Sequence, residues 1–101
     1  MLLDRRVFIV KFGKMAEVLE LLKAEQARVQ QAYGFSGATR NYVNVVAPNN
    51  HLVLEREWNN LAEWEAFWSA WQASPEGKAF LEKWSPLLEP GGWGELWQLV
   101  E

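Results

Sequence analysis

Glu55 and Glu57 flank Arg56 in "HLVLEREW", His51 to Trp58. On an extended strand that spacing sends both carboxylates out of one face. Paired carboxylates can serve acid–base chemistry or hold a metal. They also suit a solvated strand end, or a cross-strand ion pair with Arg5 or Arg6. No second cluster of ligands completes a metal site, so no metal is expected. Arg40, Tyr42 and Asn44 share one face of another extended run and are its most polar set. Facing a cavity or a dimer seam, they would orient a ligand's polar atoms. On an exposed edge they would only blunt it against stray strands. His51 is the only histidine. It follows "APNN" at a hairpin end, where nothing in the pattern supplies the pocket and partner that a general base needs. "PGGWG" leads into a strand, whereas a phosphate cradle needs a helix N-terminus after its glycines. G-x-S-x-G, H-E-x-x-H and Walker patterns are absent.

Composition narrows the classes further. The 101 residues make one domain, residues 1–101, with no linker, repeat or low-complexity segment. Half of them are hydrophobic, which argues for a folded globule. Cysteine is absent, so there is no disulfide framework, thiolate site or cysteine nucleophile. The net charge is −3 and the basic residues form no cluster beyond Arg5-Arg6. Nucleic acid is therefore not an expected partner, because phosphate binding needs a concentrated positive field. The apolar runs fall far below the roughly 18 residues that span a bilayer, and "MLLDRR" does not read as a signal peptide. A soluble, cytoplasmic protein without membrane contact is expected.

These side chains must be held by elements, and the chain reads as a sequence of them. "RRVFIVKF", Arg5 to Phe12, is β-branched and aromatic and predicts a strand. Met15 to Tyr33 shows apolar residues at helical spacing and stops at Gly34. Gly37 to Ala47 predicts a second strand, "APNN" a turn, and His51 to Trp58 the returning strand. Asn60 with Glu63 predicts a capped helix start, and Leu61, Trp64, Trp68 and Trp71 line one face of that helix. Ser74-Pro75 ends it and starts another, which runs on to Pro86. "PLLEPGG" reads as a loop, and Trp93 to Val100 as the last strand. The order β-α-β-β-α-β is the ferredoxin-like plan: an α+β domain with a four-stranded antiparallel sheet and helices on one face.

Both faces of the first and last strands carry apolar residues: Phe8, Val10 and Phe12 against Val7 and Ile9, then Trp93 and Trp97 against Leu96 and Val100. A sheet with one wet face alternates apolar and polar instead. The face away from the helices therefore needs a cover, and a second copy is the simplest one.

A glycine-lysine leading into a long helix, "YGFSGA", a hairpin ending in "EW", a tryptophan-rich helix and "SPEGKAF" together resemble the dimeric α+β barrel superfamily. Within it the chain is similar to the antibiotic-biosynthesis-monooxygenase-like proteins, with the NIPSNAP-like branch nearby. The resemblance spans nearly the whole chain. It implies a homodimer of ferredoxin-like protomers with a cavity between each sheet and its helices. It also implies one of several activities: cofactor-independent oxygenation, heme binding or degradation, or none. Heme-degrading relatives use a histidine just after the segment matching "SPEGKAF", where this chain has Phe80, Leu81 and Glu82. Heme degradation by that mechanism is thus not expected, and no cofactor is.

The tryptophan helix reads first as core, since large aromatics at this spacing bury area. In a helix–sheet cavity the same residues would form the wall, with Trp68 the candidate. Three functions stay open. The first is a homodimer that binds a small, largely apolar molecule. The second is a cofactor-independent oxygenase of an aromatic substrate, which would stack the ring on Trp68 and steer deprotonation with Arg40 or Tyr42. The third is a structural dimer without ligand. The oxygenase needs a titratable group deep in the cavity, and the sequence offers no convincing one.

Overall fold

The structure, a computed structural model, describes all 101 residues. Strand β1 spans Leu2–Val10, helix α1 Met15–Tyr33, β2 Thr39–Val43, β3 His51–Trp58, α2 Leu61–Ala73, α3 Pro75–Trp84 and β4 Leu88–Gln98, with a 3-10 turn over Ser85–Leu87 before β4. The strands form one antiparallel sheet in the order β2-β3-β1-β4. This is the expected ferredoxin-like arrangement, and the helices pack on one face.

Local chemistry sets the helix limits. Gly34 ends α1 in the left-handed region, and its N–H donates to the Gln30 carbonyl. The Asn60 side chain accepts from the Glu63 N–H at 2.9 Å and so caps α2. Ser74 joins α2 to α3: its hydroxyl donates to the Trp71 carbonyl at 2.7 Å and accepts from the Gly77 N–H at 3.0 Å. Gly77 lies so close to α2 that a Cβ there would strike the Trp71 carbonyl oxygen, a backbone atom that cannot swing aside. Gly77→Ala should therefore lower stability by about 3 kcal/mol, the upper part of the usual overpacking range, as read from the urea midpoint.

Three strands differ from the expected ones in their limits. β1 begins at Leu2 rather than Arg5 and stops at Val10, leaving Phe12 91% exposed. Leu2, Leu3 and Asp4 continue the pairing with both neighbours, so the strand extends past the β-branched run that marked it. β2 is shorter than Gly37–Ala47, because Val45 and Val46 turn out into solvent beyond Val43. β4 begins at Leu88, not Trp93. Leu88 and Glu89 pair with Val10 and Ile9, and the register then slips before Trp93 meets Val7. Pro90-Gly91-Gly92 sits in that irregularity, with Gly91 at φ 107°. Proline and glycine are tolerated at a bulge on an edge strand, so a run that reads as a loop is built into the sheet.

Strand register assigns the faces. Leu2, Asp4, Arg6 and Phe8 of β1 lie opposite Trp58, Arg56, Leu54 and Leu52 of β3 and share the helix-facing side with Val10. Two apolar clusters fill that side. Leu2, Val29, Trp58, Phe67 and Trp71 form one; Val10, Val18, Leu22, Leu52 and Trp84 form the other.

The other face carries Val7, Ile9, Val53, Tyr42, Trp93 and Trp97. A row of alternating charge, Arg40, Glu55, Arg5 and Glu95, crosses all the strands between them. Arg5 contacts Glu55 at 3.7 Å and Glu95 at 3.2 Å, while Arg40 contacts Glu57 at 3.0 Å. No helix covers this face.

Candidate functional site

A cavity of about 140 Å³ lies between sheet and helices and is lined by members of both apolar clusters. β1 supplies Asp4, Arg6 and Phe8; β3 supplies Leu54, Arg56 and Trp58. Leu22, Glu25, Gln26 and Val29 come from α1; Phe67, Trp68 and Trp71 from α2; Phe80, Leu81 and Trp84 from α3. The aromatic rings pack mostly edge to face, as in the Trp68–Trp71 pair at 5.5 Å, which fixes the wall.

Four charged side chains enter this apolar wall. Asp4 is only 6% exposed. Its carboxylate accepts from the Trp64 indole N–H at 2.8 Å and from Arg6 Nε at 3.2 Å. The Arg6 guanidinium lies 3.9 Å from the centre of the Trp68 ring, a cation–π contact. Arg56 donates from Nε to the Thr39 hydroxyl at 3.0 Å and lies 4.6 Å above the Phe35 ring. Burial pushes its pKa down from the usual guanidinium value, and the charge of Asp4 acts against that. No carboxylate comes within ion-pair contact of Arg56.

For Glu25, burial alone would raise the pKa. The hydrogen bonds from Arg28 and Trp71, with the Arg28 charge, outweigh burial and hold it below the usual carboxylate value. Its oxygens accept from Arg28 at 2.7 and 2.8 Å and from the Trp71 indole at 2.8 Å. Gln26 and Asn41 close on each other through two amide hydrogen bonds of 2.8 Å, tying α1 to the edge strand β2. The indole nitrogens of Trp58 and Trp68 are buried without a partner.

Of the residues singled out from sequence, Trp68 lines the cavity. Arg40, Tyr42, Glu55 and Glu57 do not. Arg40 pairs opposite Glu55 and Tyr42 opposite Val53, and that register belongs to the open face. A scheme in which Trp68 stacks a ring while Arg40 or Tyr42 steers its deprotonation is thus split across the thickness of the sheet. His51 stays at the hairpin end, its Nδ1 2.9 Å from the Asn49 carbonyl oxygen.

Asp4, Arg6, Glu25 and Arg56 were not anticipated. Asp4 preceded the expected start of the strand. Arg56 had a legible signal: in "HLVLEREW" it occupies the register of Leu52, Leu54 and Trp58, a charge in the apolar series. No group of three or more metal-ligating side chains occurs, and no helix is long and apolar enough to cross a membrane.

No protein-family model matches the chain, and no curated protein does. Solved structures share its fold. A NIPSNAP domain protein from Burkholderia xenovorans superposes with a TM-score of 0.82 at 18% identity, covering 99% of this chain and 95% of that one. A NIPSNAP family protein from Agrobacterium tumefaciens gives 0.83 at 17% identity, covering 99% and 86%. An antibiotic biosynthesis monooxygenase gives 0.76 at 19% identity and covers both chains fully. At such identities the likeness is one of fold: the chain has the ferredoxin-like α+β fold of these proteins.

Proposed function

We propose that this protein is a homodimer, closed by the open sheet faces of two protomers, and that each protomer binds a small, largely apolar molecule between its sheet and helices. The aromatic-walled cavity carries this reading. An apolar cavity of about 150 Å³ in a protein interior stays dry and takes up benzene, so the space here suits a single ring or a short chain. The cavity lies between the sheet and its helices, on the face away from the proposed seam.

Native mass spectrometry of the purified protein, followed by denaturation to release retained molecules, tests both halves. The expected result is a species of twice the chain mass and a small aromatic or aliphatic molecule freed from it. An empty dimer whose tryptophan indole resonances do not move with any small aromatic would leave the third reading, a structural dimer without ligand.

One observation favours a second reading, cofactor-independent oxygenation of an aromatic substrate by dioxygen. Asp4 supplies the titratable group in the cavity wall that such a reaction requires. As general base it would take a proton from a phenolic or activated methylene carbon acid. One atom of dioxygen would then become the carbonyl oxygen in place of the two methylene hydrogens, and the other would leave with those hydrogens as water. Oxygen consumption on adding a ligand that binds favours this reading; binding without consumption favours the first.

A further inference from the structure

The hydrogen-bonding groups of the cavity wall do not balance. On the acceptor side, each Asp4 oxygen already accepts one hydrogen bond, from Arg6 or from Trp64. Both Glu25 oxygens are committed to Arg28, and one of them also to Trp71. The Gln26 and Asn41 amides satisfy each other.

On the donor side there is surplus. A guanidinium carries five N–H groups, and Arg56 uses only its Nε, on Thr39. Two indole N–H groups in the same wall, those of Trp58 and Trp68, have no acceptor. Buried donors without acceptors are uncommon and costly.

Ion pairing leaves out the same side chain. Arg6 has Asp4 and Arg28 has Glu25, which leaves Arg56 as the guanidinium without an ion-pair partner. An acceptor with one negative charge would serve Arg56 and these two indoles together.

Resting on the reading that the cavity binds a ligand, we propose that the ligand is a small organic monoanion: a carboxylate on a single ring or a short aliphatic chain, with its head on Arg56 and its body among the aromatic residues. A planar guanidinium fork matches a carboxylate edge to edge. A dianionic phosphate fits worse, because one unmatched positive charge would leave its second charge uncompensated in an apolar wall. The ion pair of Asp4 with Arg6 offsets part of its repulsion of the head group.

Matched pairs of probes test this. Benzoate with benzamide, and hexanoate with hexanamide, differ in charge but hardly in shape. Binding is read by calorimetry and by the tryptophan indole resonances. The expected result is that each acid binds at least about ten-fold tighter than its amide, the scale of a charge-assisted hydrogen bond. Arg56→Gln should bring acid and amide level while the amide still binds, and Arg56→Lys should fall between.

If the amides bind the unmodified protein as tightly as the acids, the anion proposal is overturned and the cavity reading stands. If no probe binds and no indole moves, the cavity reading itself fails and this inference with it. The comparison on the unmodified protein decides the matter even if the variants do not fold.

Discussion

Trp58→Ala is expected to cost about 4 kcal/mol of folding stability, within the usual range for emptying a buried tryptophan site. Trp58 is 1% exposed and ends β3 opposite Leu2. Its ring lies 4.9 Å from Phe35 and 5.3 Å from Phe67, in the cluster with Val29 and Trp71. The wall behind it is already incomplete, because the cavity abuts the same ring. The neighbours therefore have little means of collapsing into the space, which keeps the cost from falling to the bottom of the range. Domains of this size are stable by about 5–15 kcal/mol in total, so the variant should melt roughly 15–30 °C lower. Trp58→Phe separates packing from polarity. It keeps most of the ring and removes an indole N–H that has no acceptor, so its cost should be about 1 kcal/mol. Chemical denaturation followed by circular dichroism, at one fixed protein concentration because association shifts the midpoint, checks both values. A loss below about 1 kcal/mol for the alanine variant would mean that this end of the core is not packed as described.

The architecture was legible because its signals are local. Helix α1 runs Met15–Tyr33 as its periodicity and Gly34 predict, β3 runs His51–Trp58, and Asn60 and Ser74 cap as their positions suggest. The errors fall where tertiary pairing overrides local chemistry. Pro90-Gly91-Gly92 carries the chemistry of a loop, yet β1 offers a ladder on that side and the strand runs through it as an irregularity. Asp4 lacks β propensity, yet it is paired on both sides and joins the sheet. The candidate site suffered more, because a site depends on which face a residue takes. Strand alternation shifts faces with every residue. Arg40 and Tyr42 were visible as polar residues in an apolar strand, but only register with β3 sends them away from Trp68. Arg56 stands between two glutamates, yet its parity matches the apolar series of Leu52, Leu54 and Trp58. A charge in an apolar register is the signal that the sequence offers for it.

Trp97→Lys is expected to weaken the proposed dimer by on the order of 100-fold, the effect of losing one central aromatic anchor from an interface. Trp93 and Trp97 stand 50% and 58% exposed in the single chain, with Tyr42 at the far edge of the same face. Tryptophan and tyrosine are the residues in which interface energy concentrates. Their indoles are also held in place. Glu95 accepts from Trp93 at 2.6 Å, from Trp97 at 2.8 Å and from Arg5 at 3.2 Å. The hydrogen bonds from Trp93 and Trp97 hold its carboxyl below the usual pKa. Glu55, Arg5 and Glu95 contact one another in series, and Arg40 contacts Glu57, so these charges bring partners of their own to a seam. That lowers the desolvation cost that usually opposes burying ions. A lysine at 97 has no such arrangement and keeps a strongly hydrated ammonium on the face. Sedimentation velocity at micromolar protein should show the unmodified protein at twice the chain mass and the variant moving toward the single chain, with an unchanged circular dichroism spectrum. An unmodified protein that runs as a single chain would overturn the dimer. The same variant separates the two faces of the sheet. Arg5 and Arg56 lie on opposite sides of it, and the cavity lies on the side away from Trp97. A monomeric Trp97→Lys protein should therefore retain the preference for an acid over its amide. Loss of that preference on dissociation would mean that the helix–sheet cavity takes its shape from the partner.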